Sequence, residues 1–138
     1  MKILQLLADV KEVKPLSSWN FVPEINQKQN KRMLVVIEHI LTNLQNELSL
    51  AEVAQLIYMT PASFSRFFKQ AAKKPFIKYV NQLRISKACH FLINTDETIT
   101  QIALQCGYGN LSNFNRQFQK IKISTPSAYR NRYKHALD

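Results

Sequence analysis

The chain has 138 residues, 46% of them apolar and 20% charged, with two glycines and a formal net charge of +10 from 19 Lys and Arg against 9 Asp and Glu. A chain of this length buries about two-thirds of its unfolded surface and needs no disulfide or metal to fold, while so few glycines exclude an all-β protein of many tight turns and any collagen-like or linker sequence. An all-α fold is expected, and the positive charge points to a polyanion, with nucleic acid and a membrane surface both eligible.

Residues 1–30 carry four basic and three acidic groups and residues 31–138 carry fifteen and six, so +9 of the charge lies in the later part. Ile3, Leu6, Leu7, Val10 and Val13 stand at helical spacing and are followed by the stretch PLSSWNFVPEINQKQN, predicting a short amphipathic helix and a linker over 1–30. A lone helix of that length is marginal in water, so its apolar stripe should dock on the later domain, on a second copy of the chain or on a larger domain. From Lys31 onward Leu34, Ile37, Leu41 and Leu44 recur at three and four residues, predicting a helix whose apolar stripe they form. Met33 to Ile37 is the longest aliphatic run, far too short to span a bilayer, and a secreted or membrane-spanning protein is not expected.

Ser49 with Glu52, and Thr98 with Gln101, have the spacing of capping boxes that open two further helices. Between them a long helical pattern runs over 75–93 through Phe76, Val80, Leu83, Ala88 and Leu92. Cys89 and Cys106 lack CxxC spacing and sit in apolar helical patterns, so they read as reduced core cysteines of a cytoplasmic protein rather than a redox or metal pair.

The strongest feature is an internal repeat. LAEVAQLIYMTPASFSRFFKQ over 50–70 aligns with ITQIALQCGYGNLSNFNRQFQK over 99–120: Leu50 with Ile99, Val53 with Ile102, Ala54 with Ala103 and, after one extra residue in the second turn, Phe64 with Phe114, Arg66 with Arg116 and Phe68 with Phe118. Each copy is a short helix, a tight break and a second helix, spanning 50–71 and 98–121. The alanines permit close helix crossing and the paired phenylalanines form an i, i+4 stripe facing it. Thr60, followed by Pro61, and Asn110 are the expected N-caps of the second helices.

If the phenylalanines point inward, Ala62, Ser63, Ser65, Arg66 and Lys69 point outward in the first copy, as do Leu111, Ser112, Asn115, Arg116 and Gln119 in the second. Short groups that allow close approach, with Arg or Asn to pair with base edges, suit a helix lying in a major groove. One such face alone could equally be an ordinary solvated surface; its recurrence in both copies argues against that. No acid occurs between Glu52 and Asp96 or between Thr98 and Leu137, and Lys69, Lys73, Lys74, Lys78, Lys120 and Lys122 follow the two outward faces as candidate phosphate contacts. A linking helix over 75–93 would be about 28 Å long, which with the width of its flanking units approaches the roughly 34 Å between successive major grooves.

These residues resemble the AraC/XylS type of bacterial transcription regulators. The resemblance covers about 31–132 and rests on the two repeat copies, on the joining stretch FIKYVNQLRISKACHFLI and above all on ITQIALQCGYGNLSNFNRQFQKIKISTPSAYR. It implies an all-α, two-lobed DNA-binding domain of about seven helices over 31–138, preceded by what looks like the tail of a sensor or dimerisation domain. It also implies that Ala62, Ser63, Ser65, Arg66, Leu111, Ser112, Asn115 and Arg116 face the bases, Arg66 foremost among them. Pro126, Tyr129 and Arg130 match the family's closing motif, where core packing is expected. The sequence departs from the family at Tyr58, Lys73 and Ile123, where glycine is common, and different turn geometry is expected there. Ala62 and Leu111 can offer bases no side-chain hydrogen bond, which shifts specificity toward few positions and toward DNA shape.

The partners implied are double-stranded DNA and RNA polymerase, without a membrane, and with an effector ligand or dimer partner only through an N-terminal domain. No cofactor or metal is expected: His39, His90 and His135 are scattered, and Cys89 and His90 are helix neighbours that diverge. An enzyme is therefore not expected. The other reading is a basic helical module that binds nucleic acid non-specifically or an acidic protein, although the aromatics fit core positions better than exposed stacking platforms.

Overall fold

The computed structural model describes residues 27–137. The helix expected over residues 1–13 and most of its linker lie outside the described residues. Seven helices and no strand make up the described part: α1 Gln27–Thr42, α2 Leu50–Leu56, α3 Pro61–Ala72, α4 Phe76–Asn94, α5 Ile99–Gln105, α6 Leu111–Lys122 and α7 Pro126–Leu137. They form two compact units, the first running to Asn43 and including Leu48–Tyr79, the second comprising Leu44–Glu47 and everything from Val80 onward. The first turn of α4 thus belongs to one unit and the rest of that helix to the other.

In the first unit α1 begins within the stretch read as linker, and three of the four residues of the expected stripe, Ile37, Leu41 and Leu44, are buried as expected. Leu34 is instead 59% exposed, and Met33, Val36 and Ile40 complete the buried face. The periodicity admits either stripe, because VVI is apolar all round; which side is buried is decided by the neighbour, and α1 packs against α2. Val53, Ala54 and Ile57 of α2 and its turn, with Phe64, Phe68, Ala71 and Ala72 of α3, complete this core. Phe76 at the start of α4 meets Phe64 and Phe68 edge-on, each at 5.5 Å between ring centroids, and Tyr79 meets Phe68 at 5.2 Å.

The second unit repeats this construction. Ile102, Ala103, Cys106, Tyr108, Phe114 and Phe118 close over Ile85, Ala88, Cys89, Phe91 and Leu92 of α4. Tyr129 of α7 meets Phe118 edge-on at 5.5 Å, as Tyr79 meets Phe68. The repeat therefore extends past the two helix-turn-helix segments: Tyr79 and Tyr129 are equivalent, and so are Arg84 and Lys134. Arg84 donates from Nη2 to the Asn46 carbonyl at 2.8 Å, and Lys134 donates to the Thr95 carbonyl at 2.8 Å, each oxygen lying in the loop that precedes a helix-turn-helix segment. Asn43 and Asn94 likewise close α1 and α4, their amides donating to the carbonyls of His39 and His90 at 2.9 Å.

The turns inside both copies end in the same way. Met59 N–H donates to the Ala54 carbonyl and Tyr58 N–H to Gln55, while Tyr108 N–H donates to Ala103 and Gly107 N–H to Leu104, a paired closure that needs a left-handed residue after the helix. Gly107 supplies it in the second copy at φ 95°, but Tyr58 supplies it in the first at φ 58°. Lys73 (φ 65°) and Ile123 (φ 55°) do the same after α3 and α6, each donating its N–H to the carbonyl four residues back. The different turn geometry expected at these three non-glycine positions is thus not what the fold adopts. All three side chains point into solvent, Tyr58 at 94% and Ile123 at 78% exposure, so the closing hydrogen bonds offset a local cost of about 1–2 kcal/mol per residue.

Gly107 cannot be exchanged in the same way, because a Cβ there would sit 2.2 Å from the Leu44 carbonyl and 2.9 Å from Arg84 Nε. In urea denaturation Ile123→Gly is expected to raise stability by about 1 kcal/mol, since the side chain it removes is 78% exposed and the left-handed turn favours glycine. Gly107→Ala should cost more than about 2 kcal/mol, while Gly109→Ala, with open space around the added methyl, should be near neutral.

Both cysteines are buried free thiols. Burial pushes the Cys106 thiol from its ordinary value near 9 up to about 12, and burial likewise raises Cys89. An acid whose folded form holds its proton longer stabilises the fold fully below the unfolded pKa and loses that contribution as pH rises toward the folded one. Stability measured by urea titration should therefore fall as pH rises above about 9, and less steeply in Cys106→Ala.

Candidate nucleic-acid interface

The two second helices of the repeat are positioned by their caps and by their buried rings. Thr60 lies in extended conformation and its hydroxyl accepts from Ser63 N–H at 3.1 Å, with Pro61 in the first turn of α3. Asn110 does the same for α6, its Oδ1 accepting from Asn113 N–H at 2.7 Å. Of the two expected capping boxes, Thr98 and Gln101 close both halves, at 3.1 and 3.0 Å, whereas at Ser49 only the N-cap half forms, its hydroxyl accepting from Glu52 N–H at 3.4 Å. Phe64 and Phe68 in α3, and Phe114 and Phe118 in α6, are fully buried, which fixes the rotation of each helix about its axis.

The outward faces follow from that rotation. Ala62, Ser65, Arg66 and Lys69 are exposed on α3, and Leu111, Ser112, Asn115, Arg116 and Gln119 on α6. Ser63 is the one residue of the expected base-facing set that is half-buried, and its equivalent Asn113 is half-buried as well. Of the lysines expected to face phosphate, Lys69, Lys73, Lys78, Lys120 and Lys122 are exposed and Lys74 is half-buried. Burial, and the neighbouring Lys78 charge second, hold the Lys74 ammonium below its usual pKa. Lys74 and Lys78 are thus like charges one turn apart around the start of α4.

Sequence reasoning missed Asn113. Its Oδ1 accepts from Arg116 Nη2 at 2.8 Å, so one outward arginine is already held within its own helix. An Asn three residues before an Arg on the same helix face is the signal that could have found it. It also missed which cations are committed to the fold. Besides its bond to Asn46, Arg84 donates from Nε to the Leu44 carbonyl at 3.2 Å and lies over the Tyr108 ring, and Lys87 donates to the Gln105 carbonyl at 3.4 Å. Among the described residues no three His, Cys, Asp or Glu side chains come together as a metal would require, and no helix is long and apolar enough to cross a membrane.

A family model described as a helix-turn-helix domain matches residues 53–132, from inside α2 into α7. The chain belongs to the AraC-type helix-turn-helix family. Over 91 residues it is 32% identical to the transcriptional activator RhaR of Mannheimia succiniciproducens, covering 66% of this chain and 33% of that protein. Across the first curated relatives the chain spans only 33% to 46% of their length. Among solved structures it is similar to an AraC-type DNA-binding regulator from Chromobacterium violaceum, with a TM-score of 0.70 at 24% identity over 78% of this chain and 96% of that one. It is also similar to the DNA-binding domain of the global transcriptional factor AdpA, solved in complex with a target DNA, with a TM-score of 0.69 at 21% identity over 80% of this chain and 96% of that one.

The closing motif of the AraC-type domain has a structural role here, as expected from its sequence. Pro126 is buried, Tyr129 packs on Phe118, and Arg130 donates to the Leu92 and Thr95 carbonyls at 3.0 and 3.2 Å. Lys134 adds an ion pair with Asp96 beside its bond to Thr95. Because the caps set where each outward helix begins, Thr60→Ala and Asn110→Ala should each lower stability by about 1 kcal/mol in thermal or urea unfolding. Fraying confined to the first turn of α3 or α6 should show in amide exchange.

Proposed function

We propose that the protein is a sequence-specific, double-stranded DNA-binding regulator of bacterial transcription, acting in the cytoplasm and reading two adjacent major grooves with α3 and α6. One observation carries this reading: the same outward surface is built twice, on equivalent helices held by equivalent rings and caps. Arg66 and Arg116 occupy equivalent exposed positions one turn into each helix, flanked by small or polar groups, and neither unit places an acid near them in sequence. A solvated helix face has no reason to repeat that pattern.

In this assignment Ala62, Ser63, Ser65, Arg66, Leu111, Ser112, Asn115 and Arg116 face the bases. Ser63 is half-buried and its N–H is taken by the Thr60 hydroxyl, so its own hydroxyl is the group left for a base edge. Lys69, Lys73, Lys74, Lys78, Lys120 and Lys122 meet phosphates and set register without carrying sequence information. A relative named as a transcriptional activator and a similar fold solved on its target DNA support the same assignment. Contact with RNA polymerase belongs to the DNA-bound complex, and effector sensing or dimerisation belongs to a domain N-terminal to residue 31 rather than to the helix-turn-helix units. The chemistry assigned to these units is binding, not catalysis.

Selection from random duplexes should enrich two half-sites about one helical turn apart. Arg66→Ala should then cost about 1–3 kcal/mol on the enriched duplex and relax one base position, while Lys69→Ala should weaken cognate and scrambled duplexes alike and lower the salt slope by about 1. Equal losses on both duplexes from Arg66→Ala would contradict base reading, and steep salt dependence with no enriched motif would favour the non-specific basic module.

A further inference from the structure

We propose that Asn113 is a positioning residue that holds Arg116 in place for base reading, so that the second recognition helix meets DNA with its arginine already oriented and the first does not. The inference rests on the reading of α6 as a recognition helix. Arg116 Nη2 donates to Asn113 Oδ1 at 2.8 Å. The acceptor is itself anchored, since Asn113 is half-buried and its backbone N–H is held by the Asn110 cap at 2.7 Å. Two hydrogen bonds, both made by Asn113, thus join the helix cap to the guanidinium.

Direction and charge both suit base contact. Long side chains on a helix lean toward its N-terminus, so this hydrogen bond holds the guanidinium over the first turn of α6, the end of a recognition helix that meets base edges. A guanidinium has five N–H donors, and the bond to Asn113 leaves enough for a bidentate contact with a guanine edge. An amide acceptor orients the cation without neutralising it, whereas a carboxylate there would compete with DNA for the charge.

The first unit lacks this device. Ser63 stands at the equivalent position, its shorter side chain reaches less far, and among the described residues no hydrogen bond or ion pair holds Arg66. Arg66 therefore loses its rotamer freedom only on binding, while Arg116 has lost much of it beforehand. The two half-sites should be read with unequal stringency, more strictly under α6 than under α3.

The test uses the whole chain, with the duplex enriched by random selection and its scramble titrated by fluorescence anisotropy. Asn113→Ala should lower the preference for the enriched duplex by about three- to tenfold and leave the salt slope unchanged. The same change made in Arg116→Ala should lower the preference no further. Thermal melting of Asn113→Ala should stay near that of the parent chain, because the Asn110 cap bonds the backbone and not the deleted side chain. If Arg116→Ala lowers the preference and Asn113→Ala does not, or if Asn113→Ala costs as much without Arg116 as with it, the positioning role is wrong. If Arg116→Ala itself leaves the preference unchanged, the assignment of α6 as a base reader fails instead.

Discussion

The inward commitment of two phenylalanines per unit is the constraint on which the rest of the structure depends. Phe64 and Phe68, like Phe114 and Phe118, stand one turn apart and are fully excluded from water. Each pair is braced edge-on by an aromatic ring from the following helix, Tyr79 in one unit and Tyr129 in the other. Burial of one such ring is worth about 1.5–3 kcal/mol, and edge-to-face geometry restricts how it can turn. A helix pinned at two points along one stripe cannot rotate about its axis. Which residues of α3 and α6 face outward is thus a consequence of core packing rather than a separate property of the surface.

The ends of the helices are held by polar groups of a second kind. Arg84, Lys87, Arg130 and Lys134 reach carbonyls at helix ends and in the connecting loops. Favourable interaction of cations with helix C-termini explains why so basic a chain can use part of its charge structurally. Among the described residues, cations therefore divide between those consumed by the fold and those that stand exposed, including Arg66, Lys69, Lys73, Lys78, Lys120 and Lys122. A count of basic residues alone overstates the electrostatic footprint.

Three non-glycine residues in left-handed conformation show the same hierarchy. Tyr58, Lys73 and Ile123 each carry a local cost, and each closes a turn whose position is dictated by the rings on either side. Where the Cβ has solvent around it the cost is tolerable, as at Ile123; where it would strike a carbonyl, as at Gly107, glycine is retained. The turn is conserved between the two copies while its residue is not.

The sequence by itself determined the helices, their caps, the repeated unit and the inward stripe of each recognition helix, because all of these are set by contacts within about four residues and leave periodic marks. Helix boundaries from Leu50 to Lys122 fell within a residue or two of those observed. The aromatic braces at Tyr79 and Tyr129 were legible as well, at the same separation as the phenylalanines, once the repeat is followed past Lys73. Only the tertiary structure decided that Met33 and Val36 rather than Leu34 turn inward at the start of α1, since an aliphatic run fits either face until a neighbour is present. It alone decided that Tyr58, Lys73 and Ile123 keep a glycine-like turn, since that depends on the space around each Cβ. It alone also decided which arginines and lysines are spent on carbonyls up to 39 residues away in sequence, contacts that leave no periodicity for a linear reading to find.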